Sequence, residues 1–211
     1  MIKFHIAALA ILGGLATSAQ AAPVSAITFT TGNGNGTTTN TTRGYAFNVT
    51  SPGLVATHLS VWDEGSDGLG QSHDVGLWNP AGILIASATV PSGTATLLLD
   101  SFRFVDIADV ALPVGNGYVV GAVFLVGSPD RQALFLSSLT TASGINYVEG
   151  RLINNGLGTL SLPTTSVSFG LPGGSLLVDL QAPAVPEPTT LALAALALAA
   201  LVRRPASTRF A

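Results

Sequence analysis

Carboxylates gather in one stretch of the chain, Trp62-Asp63-Glu64-Gly65-Ser66-Asp67-Gly68-Leu69-Gly70-Gln71-Ser72-His73-Asp74. Hard oxygen ligands suit a hard cation. On an EF-hand-like calcium loop, Asp63 takes the first position, Asp67 the fifth, Gly68 the required sixth-position glycine and Asp74 the last. Gly65 brings no side-chain oxygen to the third position, and Asp74 is shorter than the usual bidentate glutamate. Ca2+ is therefore the candidate cofactor, with Asp63, Asp67 and Asp74 as candidate metal ligands. The other reading of the same residues is a solvated acidic hairpin loop, its Asp and Gly residues supplying turn conformations.

Trp62 and Trp78 flank this loop, and with Tyr45, Tyr118 and Tyr147 they are the aromatics that a sugar-binding face needs, because rings stack on the apolar faces of pyranoses. Core packing is the alternative. Trp62 is out of phase with Val55, Leu59 and Val61, and Trp78 with Val75 and Leu77, which puts both on the other face of their strands or at a rim. Catalytic patterns are weak. His58 and His73 each sit on a candidate strand or its edge, where a histidine near an aspartate is usually a packed or surface residue. No G-x-S-x-G elbow marks a serine nucleophile. The glycine-rich run from Thr31 to Gly36 lacks the Lys-Ser/Thr of a phosphate loop and reads as a flexible polar loop. Cysteine is absent, which removes thiol nucleophiles, disulfides and thiolate metal ligands.

The elements that must hold these residues are strands. Tyr45, Phe47 and Val49 alternate with small or polar residues, as do Val55 to Val61, Val75 and Leu77, Ile83 and Ile85, and Tyr118 to Val126. Further candidates are Ile27 to Thr30, Phe102 to Ile107, Ala133 to Ser137, Ile145 to Glu149, Ser166 to Gly170 and Ser175 to Leu180. Asn79-Pro80-Ala81-Gly82 suits a type I turn between two strands. Many short strands at this spacing predict an all-β, two-sheet β-sandwich of jelly-roll type.

The chain ends differ from this middle. Met1 to Ala21 has Lys3, an apolar stretch from Ile6 to Leu15 and Ala19-Gln20-Ala21 as a small-x-small cleavage site, the form of a secretory signal peptide. At the other end Val185-Pro186-Glu187-Pro188 leads into an uncharged Leu/Ala-rich run from Thr189 to Val202, then Arg203, Arg204 and Arg209. The run predicts a short transmembrane helix, and the arginines place its end in the cytoplasm. Three parts result: a signal peptide over 1–21, a β-sandwich domain over 22–184 and a sorting tail over 185–211. From Ala22 to Val185 four arginines face ten acids, a formal charge of −6, so nucleic acid is excluded as a partner for want of a basic stripe.

The tail, Pro-Glu-Pro followed by an apolar helix and arginines, resembles the PEP-CTERM sorting signal of exported bacterial proteins. The resemblance implies recognition of Pro186, Glu187 and Pro188 by an exosortase, with Arg203 and Arg204 as the stop signal, and removal of the helix and basic tail. Signal peptidase and exosortase are then the processing partners. The route runs transiently through the inner membrane of a Gram-negative-type bacterium to the cell surface or extracellular matrix. Family tails end within a few residues of the basic cluster, whereas Pro205 to Ala211 continue here. A second resemblance, from Ala46 to Phe124, rests on Val-Trp-Asp (61–63), Asp-Gly-Leu (67–69), Ser-His-Asp-Val-Gly-Leu-Trp (72–78) and Gly-Tyr-Val-Val-Gly-Ala (117–122). That layout is similar to a recurrent domain of PEP-CTERM proteins and to an uncharacterised β-sandwich of secreted carbohydrate-associated proteins. It implies a fold and a compartment and transfers no catalytic residues.

Three functions follow as expectations. The first is a non-catalytic structural or adhesive protein of the cell surface or exopolysaccharide matrix, not an enzyme. The second is a carbohydrate-binding module, with or without calcium, using Trp62, Trp78 and the Asp63 to Asp74 loop on an extracellular polysaccharide. The third is a secreted hydrolase, which needs two carboxylates or a histidine dyad converging in a cleft.

Overall fold

A computed structural model describes residues 22–180, apart from 31, 32, 37, 169 and 171. In chain order its strands are β1 (Val24–Ser25), β2 (Ile27–Thr30), β3 (Asn33–Asn35), β4 (Thr41–Val49), β5 (Leu54–Trp62), β6 (His73–Trp78) and β7 (Leu84–Val90). There follow β8 (Leu97–Leu99), β9 (Phe102–Leu112), β10 (Gly115–Phe124), β11 (Gln132–Leu134), β12 (Ser137–Thr141), β13 (Ile145–Ile153), β14 (Thr165–Val167) and β15 (Gly174–Leu180). The only helical element among the described residues is a single 3-10 turn, Glu64–Ser66.

Two antiparallel sheets form the sandwich, one in the order β1-β15-β5-β9-β8 and the other β14-β13-β4-β10-β6-β7. Without β8, β13 and β14, the orders are β1-β15-β5-β9 and β4-β10-β6-β7. Apart from the β6–β7 hairpin, each step along these eight strands passes to the opposite sheet. That winding is the jelly roll, two interlocked Greek keys, as the strand spacing predicts. The β6–β7 turn is the expected one: Gly82 N–H donates to the Asn79 carbonyl at 2.8 Å, and Asn79 Oδ1 accepts from Ala81 and Ile83 N–H at 3.0 Å each. Gly82 sits at φ 75°, a conformation glycine adopts without steric cost.

Two departures from expectation involve the crossing ribbons. Within the run read as a flexible polar loop, Asn33–Asn35 pairs with β11 as a two-stranded ribbon. The single strand expected over Ala133 to Ser137 is two strands, β11 and β12, because Phe135 turns out of the ladder at φ 51°.

The core lies between the sheets, where Tyr45, Phe47, Leu59, Leu77, Val120, Phe124 and Leu176 are fully buried and Phe47 stacks on Tyr118 at 5.5 Å. Simple alternation predicts that the intervening residues face water. Several do not. Trp62, Phe102, Phe104 and Leu177 alternate with core residues along β5, β9 and β15, and close a second cluster with Ala133, Phe29 and Leu136 from the crossing ribbons. Ala46, Trp78 and Val119 do the same on the outside of the second sheet, beneath Leu160 and Leu162. The central strands are therefore buried on both faces.

Candidate functional site

Asp63 follows directly on the last residue of β5, and Arg103 is the second residue of β9, paired in register with Val61. Both side chains are buried, and Arg103 Nε donates to Asp63 Oδ2 at 2.7 Å. A guanidinium has five donors in a fixed fork. Here Nη1 reaches the carbonyls of Thr94 and Thr96 at 3.0 and 3.3 Å, and Nη2 reaches that of Ser66 at 3.2 Å. Asp63 also accepts the Gly68 N–H at 3.1 Å on Oδ2. One ion pair thus fastens the 3-10 turn and the segment leading into β8.

A second carboxylate closes the other half of the loop. Asp130, between β10 and β11, accepts N–H bonds from Gly70 at 2.7 Å and Gln71 at 3.0 Å, and lies 2.8 Å from His73 Nε2. His73 Nδ1 lies 2.7 Å from the carbonyl oxygen of Val123, which can only accept, so Nδ1 carries a proton. The imidazole also packs against Phe124 at 4.8 Å. Burial pushes the Asp130 carboxyl up, but the hydrogen bonds from His73, Gly70 and Gln71 and the His73 charge outweigh it and hold the group below the usual aspartate value. Asp130 lies 57 residues from His73 and carries no motif, so only a long-range contact map would have found it.

The structure does not bring Asp63, Asp67 and Asp74 together. Asp63 is spent on Arg103 and Gly68, Asp67 is exposed, and Asp74 is an exposed residue of β6 that accepts the Thr89 hydroxyl at 2.6 Å. Because Asp74 is fixed in the β6–β7 ladder opposite Thr89, the loop's last position cannot fold back onto its first. Among the described residues no three His, Cys, Asp or Glu side chains group to hold a metal ion. Trp62 and Trp78 are also placed apart. Trp62 is 5 % and Trp78 4 % exposed, in separate clusters on the outer faces of different sheets, so neither ring offers a face to a sugar. Their phase along the strands does put them on the face opposite the main core; what the sequence does not reveal is the chain that covers it.

Two concave regions bear on the residues considered so far. One, of about 540 Å³, opens between Glu64, Asp67, Asp130 and Arg131, with Glu64 and Arg131 paired at 3.7 Å. The other, of about 500 Å³, is lined by Phe135, Leu136, Leu139, Tyr147 and Ser168, with Phe135 73 % exposed. His58 belongs to neither: it bonds Thr57 Oγ1 at 2.9 Å and lies 3.8 Å from the exposed Asp106.

The signal-peptide residues, the sorting positions Pro186, Glu187 and Pro188, the helix expected over 189–202 and Arg203 with Arg204 lie outside the described residues. Among those described, no helix is long and apolar enough to cross a membrane. What the fold and the tail define together is a jelly-roll domain followed by a C-terminal address. Residues 184–204 match the family model described as the PEP-CTERM protein-sorting motif, the kind of motif by which an exosortase sorts a protein to the cell surface. Comparisons with curated proteins and with solved structures find no match.

Proposed function

We propose that the chain is a non-catalytic structural or adhesive component of the cell surface or exopolysaccharide matrix, released from its export signal at Ala21 and from its membrane helix at Pro186-Glu187-Pro188. The observation that carries this is the sorting motif at residues 184–204, placed directly after a jelly-roll domain. Support for a non-catalytic role comes from the acidic loop. Asp63 and Asp130 are committed to Arg103, His73 and main-chain N–H groups, and both nitrogens of His73 have partners. These groups hold the loop still and are themselves engaged in doing so. The test is secretion with and without the motif: alanines at Pro186, Glu187 and Pro188 are expected to keep the product membrane-bound, and unchanged release would overturn the sorting reading.

A second reading, polysaccharide binding, is favoured by one observation, the aromatic groove at Tyr147 and Phe135. It uses these rings in place of the buried tryptophans. A glycan array with the mature domain and its Tyr147→Ala variant decides it: binding lost in the variant supports a glycan role, and no binding by either leaves the structural one.

A further inference from the structure

The two ends of the sandwich differ in charge, and the sorting motif hangs from only one of them. β15 ends at Leu180 beside the first residue of β5, Leu54, and β5 pairs there with Leu112, the last residue of β9. β1 runs antiparallel to β15 with Val24 opposite Val178, which brings Ala22 alongside Leu180. Both ends of the described domain therefore emerge together. The turns at this end are 50–53, 79–83, 113–114 and 142–144, and none of them contains an Asp, Glu, Lys or Arg. Aliphatic side chains stand out from it, Val24 51 %, Ile83 60 %, Val114 58 % and Leu180 44 % exposed, as Leu97, Leu125 and Val126 do from the opposite end. Asp179, next to Leu180, is buried.

Six acids, Asp63, Glu64, Asp67, Asp74, Asp100 and Asp130, gather at the opposite end, where β5 finishes and β6 and β9 begin. The ten residues of β10 span the distance between the two ends, about 30 Å at the rise of a strand. Only residues 181–185 separate Leu180 from Pro186, a reach of roughly 20 Å when fully extended. A domain on so short a tether cannot sit far from the bilayer that holds its tail.

We infer that the end of the jelly roll carrying Leu180, Val114 and Ile83 is a face apposed to the lipid surface while the tail is still attached, with the acidic end directed away. The inference rests on the reading of residues 189–202 as a membrane helix before cleavage. Two physical terms favour this orientation. The turns at this end carry no charge to be dehydrated on approaching the headgroups, and its exposed aliphatics gain from leaving water. The acids at the far end stand about three Debye lengths from the surface at 0.1 M salt, so an anionic bilayer scarcely repels a domain of net negative charge in this pose. Inverted, it would press the charged end, six acids with Arg103 and Arg131 paired to two of them, against that bilayer.

The chain has no cysteine, so single-cysteine variants label at one place. Val114→Cys and Ser143→Cys report on the proposed face, and Ser72→Cys and Ser92→Cys on the far end; all four replace exposed residues outside the strands. Each full-length variant, with the tail intact, is fluorescently labelled and reconstituted into phosphatidylethanolamine–phosphatidylglycerol vesicles carrying a headgroup-linked energy acceptor. The expected result is a much larger loss of donor fluorescence at positions 114 and 143 than at 72 and 92. Equal loss at the two ends, or the reverse order, overturns the orientation while leaving the sorting reading intact. Failure of the full-length chain to float with the vesicles overturns the membrane-held state, and the orientation falls with it.

Discussion

Nε2 of His73 and Oδ2 of Asp130 meet at 2.8 Å across 57 residues of chain, joining the start of β6 to the loop after β10. The same carboxylate holds two main-chain N–H groups of the acidic loop. It is a staple, and its strength depends on the charge of Asp130.

That dependence sets the first prediction. The folded Asp130 carboxyl has a pKa below its ordinary value of 3.8, so the folded state binds fewer protons than the unfolded chain in this range. Its stabilisation is complete above the unfolded value and is lost as pH falls through the lower folded value. Asp130→Asn removes a charged acceptor from buried donors and is expected to cost about 1–3 kcal/mol near neutral pH. Urea unfolding at pH 7 and pH 3 checks it: the gap between wild type and variant should narrow at pH 3.

A second prediction concerns Asp63 and Arg103. Removing either partner leaves a buried charge uncompensated, so Asp63→Asn or Arg103→Met is expected to destabilise by about 3–5 kcal/mol. The double variant should recover part of that loss, because no lone charge remains. A double-mutant cycle from denaturant melts measures the coupling, and strictly additive single effects would contradict the pairing.

Calcium supplies the third. A ligand at about one hundred times its dissociation constant stabilises a folded protein by about 2.7 kcal/mol, enough to move a melting curve visibly. With Asp63 engaged and Asp74 fixed in β6, neither millimolar calcium nor a chelator is expected to shift the thermal midpoint of the mature domain. A calcium-dependent rise would restore the cation-loop reading.

Strand periodicity made much of this fold legible. Tyr45-Phe47-Val49 and Leu59-Val61 alternate as their core positions require, and Asn79-Pro80-Ala81-Gly82 forms the turn its residues favour. Periodicity assigns a face and says nothing of what covers it. Trp62 and Trp78 are out of phase with the core as expected, yet Phe29 packs over one and Leu160 over the other. The strand that begins at Phe102 runs on to Leu112 because its ladder with β5 continues through Ala-Asp-Val-Ala-Leu, where local apolar contrast is weak. Asp130, in Ser-Pro-Asp-Arg, looks like a loop residue until its non-local partners are known. The acidic loop was legible as a cluster of carboxylates; that Asp63 within it and Asp130 from the loop after β10 hold its backbone was not.

A fourth prediction follows from Trp78. A Cβ on Gly76 would come within 2.7 Å of the Trp78 ring, so the indole lies over this glycine. Trp78→Ala should cost about 3–5 kcal/mol through the cavity it leaves. Glycans should leave the tryptophan fluorescence of the wild type unchanged; a glycan-induced shift would reopen the tryptophan face as a binding site.

The central claim, that the jelly roll is cargo and the tail a removable address, is tested most directly by the intact mass of the extracellular product. The expected species begins at Ala22 and lacks the apolar run and arginines after Pro186-Glu187-Pro188, and alanines at those three positions should abolish it. An extracellular product that still carries residues 189–211, or one unaffected by the alanines, would contradict the account.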